Sequence, residues 1–99
     1  MRDLFIAEAE EVIMIEQDFV TEGTLLLKSM ASALVDNSEH IEVEVASGGS
    51  HTTVFTLKCD KTDLGKLIGK KGRTATAMRN ILGAVASKFG RRAVLDIEE

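Results

Sequence analysis

Apolar residues come in pairs seven apart at the start of the chain: Phe5 and Ile6, Val12 and Ile13, Phe19 and Val20. With Ala9 between them they draw one stripe along a helix over residues 4–20, while Glu8, Glu10, Glu11, Gln17 and Asp18 fall mostly elsewhere. Glu16 interrupts the stripe, and VIMIE at 12–16 is equally compatible with a short strand. Such a stripe needs a surface to pack on, in its own domain or in another molecule. Thr21-Glu22-Gly23-Thr24 reads as a break, with Thr24 the N-cap of a second helix. There LLLKSMASALVDNS sets Leu26, Leu27, Met30, Ala31 and Leu34 on one face, with an end near Asn37.

The period then changes from helix to strand. In HIEVEVA, Ile41, Val43 and Val45 alternate with Glu42 and Glu44, the pattern of a half-buried strand. SGGS is a turn, with Gly48-Gly49 supplying positive φ, and TTVFTLKC is the returning strand, so residues 40–59 form a hairpin. Asp60 is a candidate N-cap and Asp63 a favourable first-turn acid for a short helix with Leu64, Leu67 and Ile68 on its apolar side. That helix must stop at Gly69. Another begins near Arg73, where Ala75, Met78, Ile81, Leu82, Val85 and Phe89 recur at helical spacing as far as Gly90. RRAVLDIE alternates again and closes the sheet. The predicted order is α-β-β-α-α-β, an α+β fold with a three-stranded sheet and helices packed on one face. Residues 1–22 form a helical N-terminal extension and 23–99 the domain, with no repeat or low-complexity linker between them.

Charge changes this picture more than composition does. Ninety-nine residues with 44% apolar content make one compact domain. Four Phe are the only aromatics, so a base-stacking platform of several rings is not expected. The single Cys59 has no partner for an internal disulfide, which fits a reducing cytoplasm. The start of the chain is too acidic for a signal peptide and nothing reads as a membrane span. The net charge is −4, yet residues 1–57 hold two cations against eleven acids, whereas residues 58–92 hold ten of the twelve cations against two acids. That asymmetry is the footprint of a polyanion-binding segment.

The cations gather around GKKG at 69–72. Glycines at both ends let the chain turn sharply and let another backbone approach. The amides at the start of the following helix form an anion site. Lys70 and Lys71 point outward, Arg73 follows, and Leu64, Leu67 and Ile68 offer an apolar floor; the same glycines also suit a plain helix-turn-helix corner. A phosphate-binding P-loop is excluded, because Gly65 and Gly69 are three residues apart and Lys70 is followed by Lys71. A duplex-DNA helix-turn-helix would read bases through Arg73, Thr74, Thr76, Arg79, Asn80 and Lys88, but leaves GKKG unexplained. A protein-interaction module would use the stripe at 4–20 and leave the clustered cations without a role. His40, His51 and Cys59 lack metal-ligand spacing and Cys59 has no nearby base, so neither a metal, a cofactor nor an enzymatic activity is expected. Cys59, Met14, Met30 and Met78 are expected in the core.

GKLIGKKGRTATAMRNIL, together with the element order, resembles the signature of type II KH domains: I-G-x-x-G followed by an amphipathic helix. The opening LLLKSMASALVDNSEHIEVEV and the small size are similar to the single-domain bacterial members of that family, over about residues 24–98. The resemblance implies a protein that binds single-stranded RNA in a groove, with Gly69, Lys70, Lys71 and Gly72 clamping the backbone and Ile68 beside it. Carried through, it makes Leu64, Lys66, Ile68, Gly69, Lys70, Lys71, Gly72, Arg73 and Arg79 the nucleic-acid-binding set. It also implies a cytoplasmic post-transcriptional regulator or RNA chaperone, with self-pairing or a larger KH-containing partner of the Jag family. Residues 1–22 depart from that pattern. They read as an added dimerisation element, a lid over the groove, or a stretch preceding a true start at Met14.

Overall fold

The computed structural model describes the backbone of residues 2–99 and the side chains of residues 9–99; Phe5 and Ile6, the first pair of the stripe, lie outside the described side chains. A single helix, α1 (Arg2–Leu34), takes up the first third of the chain. The break expected at Thr21–Thr24 does not occur: Thr24 lies inside the helix rather than capping one, and VIMIE is helical. A glycine inside a helix costs about 1 kcal/mol relative to alanine, which is why Gly23 looks like punctuation. Its actual role is packing. A β-carbon at Gly23 would stand 2.7 Å from Phe55 Cζ and 3.5 Å from Leu82 Cδ1, so only glycine lets the helix sit this close.

One turn earlier, Phe19 is fully buried, edge-on to Phe55 with ring centroids 5.5 Å apart and 5.7 Å from Phe89. Thus a residue of the expected extension belongs to the core. The helix ends at Leu34 because the next amides turn elsewhere: Asp36 and Asn37 donate their backbone N–H groups to the Asp63 carboxylate, at 3.2 and 3.0 Å.

A single turn at Ser38–His40 leads into β1 (Glu42–Ser47), which pairs antiparallel with β2 (Thr52–Lys58) from Glu42 opposite Lys58 to Ser47 opposite Thr53. Of the two turn glycines only Gly49, at φ +112°, takes a positive φ; the other left-handed residue of the hairpin turn is His51, at φ +57°, and not Gly48. The chain then crosses through α2 (Leu64–Ile68) and α3 (Arg73–Lys88) to β3 (Arg92–Glu98), which runs parallel to β2 on its other side. The sheet order is therefore β1-β2-β3, the α+β arrangement expected, with the helices on one face. Along β2 buried and half-buried residues alternate strictly, the mark of one face turned to the core. Phe55, Leu57 and Leu95 from the sheet meet Leu27, Leu67 and Leu82 from the helices.

Several apolar residues are more exposed than the pattern suggests, among them Val12 and Ile13 of the stripe at 52% and Leu34, in the last turn of α1, at 43%. Met14 is 61% exposed instead of core, since it sits two residues from Val12 and hence across the helix from the stripe. Ile81 is 46% exposed because Ala75, Met78, Leu82 and Ala86 take the inner face of α3. Val45 is 38% exposed, near the hairpin end of an edge strand. Cys59 and Met78 are buried and Met30 half-buried, as expected.

Candidate nucleic-acid interface

The link between α2 and α3 is four residues long and holds three positive φ angles: Gly69 at +77°, Lys71 at +56° and Gly72 at +74°. Gly69 ends α2 by donating its N–H to Gly65 O at 2.9 Å, and Gly72 closes the turn on Gly69 O at 3.0 Å. The two glycines are needed for different reasons. A β-carbon on Gly69 would lie 2.1 Å from Thr74 Oγ1 and 2.8 Å from the Thr74 nitrogen, a clash with backbone that no side-chain rotation relieves. Around Gly72 there is open space, and only its left-handed conformation favours glycine there. The outcome is a tight corner with Lys70 and Lys71 exposed at its tip and Arg73 exposed on the first turn of a 16-residue helix. Lys70, Lys71 and Arg73 form no ion pair among the described residues. Two ammonium groups and a guanidinium thus converge on the positive end of a helix dipole.

Around that corner the predicted residues separate into those that are free and those that are engaged. Ile68 is 39% exposed beside the loop and Leu64 is half-buried, but Leu67 is fully buried and so is no part of an apolar floor. Lys66 is held by two carboxylates, Asp36 and, at 3.2 Å, Asp63. Arg79 lies roughly 9 Å further along α3 than Arg73 by helix rise, and its Nε donates to the Leu95 carbonyl at 3.2 Å. There it borders a shallow cavity of about 250 Å³ with Leu82, Ala93, Val94 and Leu95, between α3 and the outer strand. Val94 on that strand is 44% exposed.

The residue that sequence reasoning undervalued is Asp63. It is almost wholly buried and anchors the start of α2 to the end of α1, accepting from the Asp36 and Asn37 backbone, from Asn37 Nδ2 at 3.0 Å and from Lys66 Nζ. Burial alone would raise this carboxyl, but the hydrogen bonds from Asn37, Asp36 and Lys66 outweigh it and hold it at about 2. Its position in the first turn gave a hint of capping, but no sequence signal points to a contact 26 residues away. Asp60 does cap, accepting from the Thr62 N–H at 3.2 Å, and its other oxygen lies 2.9 Å from His40 Nδ1. That bond raises the His40 imidazole above its usual value.

The same anchor fixes where the first helix points. The C-terminal end of α1 meets α2 through Asp63 and Lys66, whereas Glu22 approaches Lys88, the last residue of α3, and Glu16 approaches Arg91 just beyond it. Residues 9–22 therefore lie at the opposite end of the domain from GKKG. A lid over the loop is ruled out for that stretch.

An α-β-β-α-α-β layer with a glycine-bounded basic corner between two helices is the architecture of a type II KH domain. Residues 24–97 match the family model described as KhpA/KhpB, KH domain, and the chain belongs to that family. RNA-binding protein KhpA of Aquifex aeolicus is 43% identical over 74 residues, covering 75% of this chain and 92% of the relative. The proteins of the same name in Borreliella burgdorferi and Halalkalibacterium halodurans are 38% and 42% identical over 72 residues, covering 73% of this chain and 87% and 93% of theirs. Among solved structures, a point variant of Aquifex aeolicus Era bound to GDP.AlF4- shares the fold with a TM-score of 0.54 at 16% identity, over 77% of this chain and 29% of that one.

Proposed function

We propose that this protein binds single-stranded RNA, gripping the phosphodiester backbone at the GKKG corner. The observation that carries the reading is a pair of exposed lysines, without an ion pair among the described residues, held on a corner that Gly69 alone can make. Relatives matching over three quarters of the chain are named as RNA-binding proteins. Lys70, Lys71 and Arg73 draw in phosphates, and Gly69 and Gly72 let the backbone come close. Ile68 and Leu64 offer apolar contact to unstacked bases, while Arg79 adds charge beside the α3–β3 cavity. Lys66 serves mainly by fixing α2 through Asp36 and Asp63. With so few phosphate contacts, affinity for one short site is modest and falls steeply with salt. A second RNA-binding unit would supply the missing affinity through linkage, either another copy or a larger KH-containing protein of the Jag family. The role that follows is a non-enzymatic post-transcriptional regulator or RNA chaperone acting as a dimer in the cytoplasm.

Fluorescence anisotropy with labelled single-stranded RNA tests this. Lys70→Asp/Lys71→Asp should lose binding while circular dichroism shows an intact fold. Equal binding by the variant, or stronger binding of wild type to duplex DNA, would favour a helix-turn-helix use of α3 instead.

A further inference from the structure

An aspartate at a helix N-cap ordinarily accepts a hydrogen bond from an amide of its own first turn. Asp63 stands at the N-cap of α2 and makes no such bond among the described residues. Its carboxylate is turned to the end of α1 and takes four donors there: the Asp36 and Asn37 amides at 3.2 and 3.0 Å, Asn37 Nδ2 at 3.0 Å and Lys66 Nζ at 3.2 Å. The residue is only 1% exposed, so it is closed to any ligand. A buried carboxylate that forgoes its local cap for amides 26 and 27 residues away fixes one element against another.

What it fixes is a helix too short to place itself. α2 has five residues, and its buried side chain is Leu67. A helix of this length has no stability of its own in water. By helical spacing Asp63 and Lys66 share one side of α2, toward the end of α1, while Leu64 and Ile68 share the other. The GKKG corner is tied to α2 by the bond from Gly69 N–H to Gly65 O at 2.9 Å, and Thr74 of α3 stands close against Gly69 on its far side. Leu67 thus pins the C-terminal half of α2 and the Asp63 clasp its start. Without the clasp, the helix is free to pivot about Leu67 and to carry the corner with it.

We propose that Asp63 is a positioning residue for RNA: by clasping the start of α2 to the end of α1, it holds Lys70 and Lys71 in the arrangement that a strand of RNA meets. Less binding energy then goes into ordering the corner. The inference rests on the RNA-binding reading above. It also has a sign that simple charge does not share. Asp63 lies roughly 9 Å of helix rise from Gly69, within the screening length of about 10 Å at 0.1 M salt. On electrostatics alone, removing this acid should strengthen the binding of a polyanion. Loss of the clasp should weaken it.

Anisotropy of the full chain with labelled single-stranded RNA, at low salt and well below the melting temperature, tests it. Asp63→Asn should weaken binding about tenfold, a coupling within the range of residues that share one network. Asn37→Ala removes one of the four donors and keeps both backbone amides, so it should weaken binding in the same direction and by less. If Asp63→Asn does not fold, Asn37→Ala decides by the same sign. In the Lys70→Ala/Lys71→Ala background Asp63→Asn should cost little further, because what it positions is gone. In the free protein, amide exchange at Gly69 and Gly72 should quicken in Asp63→Asn ahead of the β2 amides, a local loosening that a drop in overall stability does not produce. Equal or tighter binding by folded Asp63→Asn would overturn the inference and leave the RNA reading standing. So would unchanged exchange at the corner, or an effect that persists in full without the two lysines. A wild type that binds no single-stranded RNA would overturn that reading, and this inference with it.

Discussion

Gly69 and Thr74 are so closely opposed that a β-carbon on the first would lie 2.1 Å from the hydroxyl oxygen of the second and 2.8 Å from its backbone nitrogen. The corner that presents Lys70 and Lys71 is thus locked by α3 itself. Gly69→Ala should lower stability more than Gly72→Ala. The latter meets no atom and carries only the strain of a left-handed residue, about 1 kcal/mol. Urea unfolding of the two variants checks this ranking. RNA affinity should fall more for Gly69→Ala, since its corner has to open to fit the new atom.

Glycines in the two long helices should respond to alanine with opposite signs. Gly83 in α3 has nothing within 4 Å of its would-be β-carbon, so Gly83→Ala should stabilise the protein by about 0.5–1 kcal/mol through helix propensity. Gly23→Ala gains the same propensity but drives a methyl to 2.7 Å from the fully buried Phe55 ring. Overpacking of a filled core costs about 1–3 kcal/mol, so the net effect should be destabilising. Denaturant midpoints of the pair decide it.

Two side-chain latches should make stability depend on pH in opposite directions. Asp63 is held at about 2, below its ordinary value of 3.8, so its contribution is complete above about pH 4 and is lost as pH falls toward 2. The difference in melting temperature between wild type and Asp63→Asn should therefore shrink on acidification through that window. His40 is raised by Asp60, so its contribution is complete below pH 6.5 and is lost as pH rises above that value through the folded one. His40→Gln should differ from wild type in mildly acidic buffer and converge with it at alkaline pH. Melting curves from about pH 2 to 9 show both.

The sequence made some of this legible and hid the rest for physical reasons. Alternation at Ile41–Val45 and in RRAVLDIE marked strands because one face of the sheet is buried and the other is not. GKKG was legible because two of the three left-handed positions in the corner, Gly69 and Gly72, are glycines; that Lys71 is the third was not. Gly23 misled, since a glycine that admits a ring looks the same in sequence as one that ends a helix; the ring, Phe55, lies 32 residues away. Asp63 was hidden in the same manner, its partners Asp36 and Asn37 being set by the docking of α1 rather than by local pattern. Lys66 counted as a free cation for the same reason, as nothing local announces its pairing with Asp36.

The central claim is that Lys70 and Lys71 each hold an RNA phosphate, and the salt dependence of binding tests it most directly. The slope of log affinity against log salt counts counterions released, at about 0.7 per phosphate contact on a single strand. Measured by anisotropy on one short single-stranded RNA, Lys70→Ala/Lys71→Ala should lower that slope by about 1.4 and weaken binding most at low salt. A slope and affinity equal to wild type would contradict the account, and would mean that RNA, if bound, is held by another face.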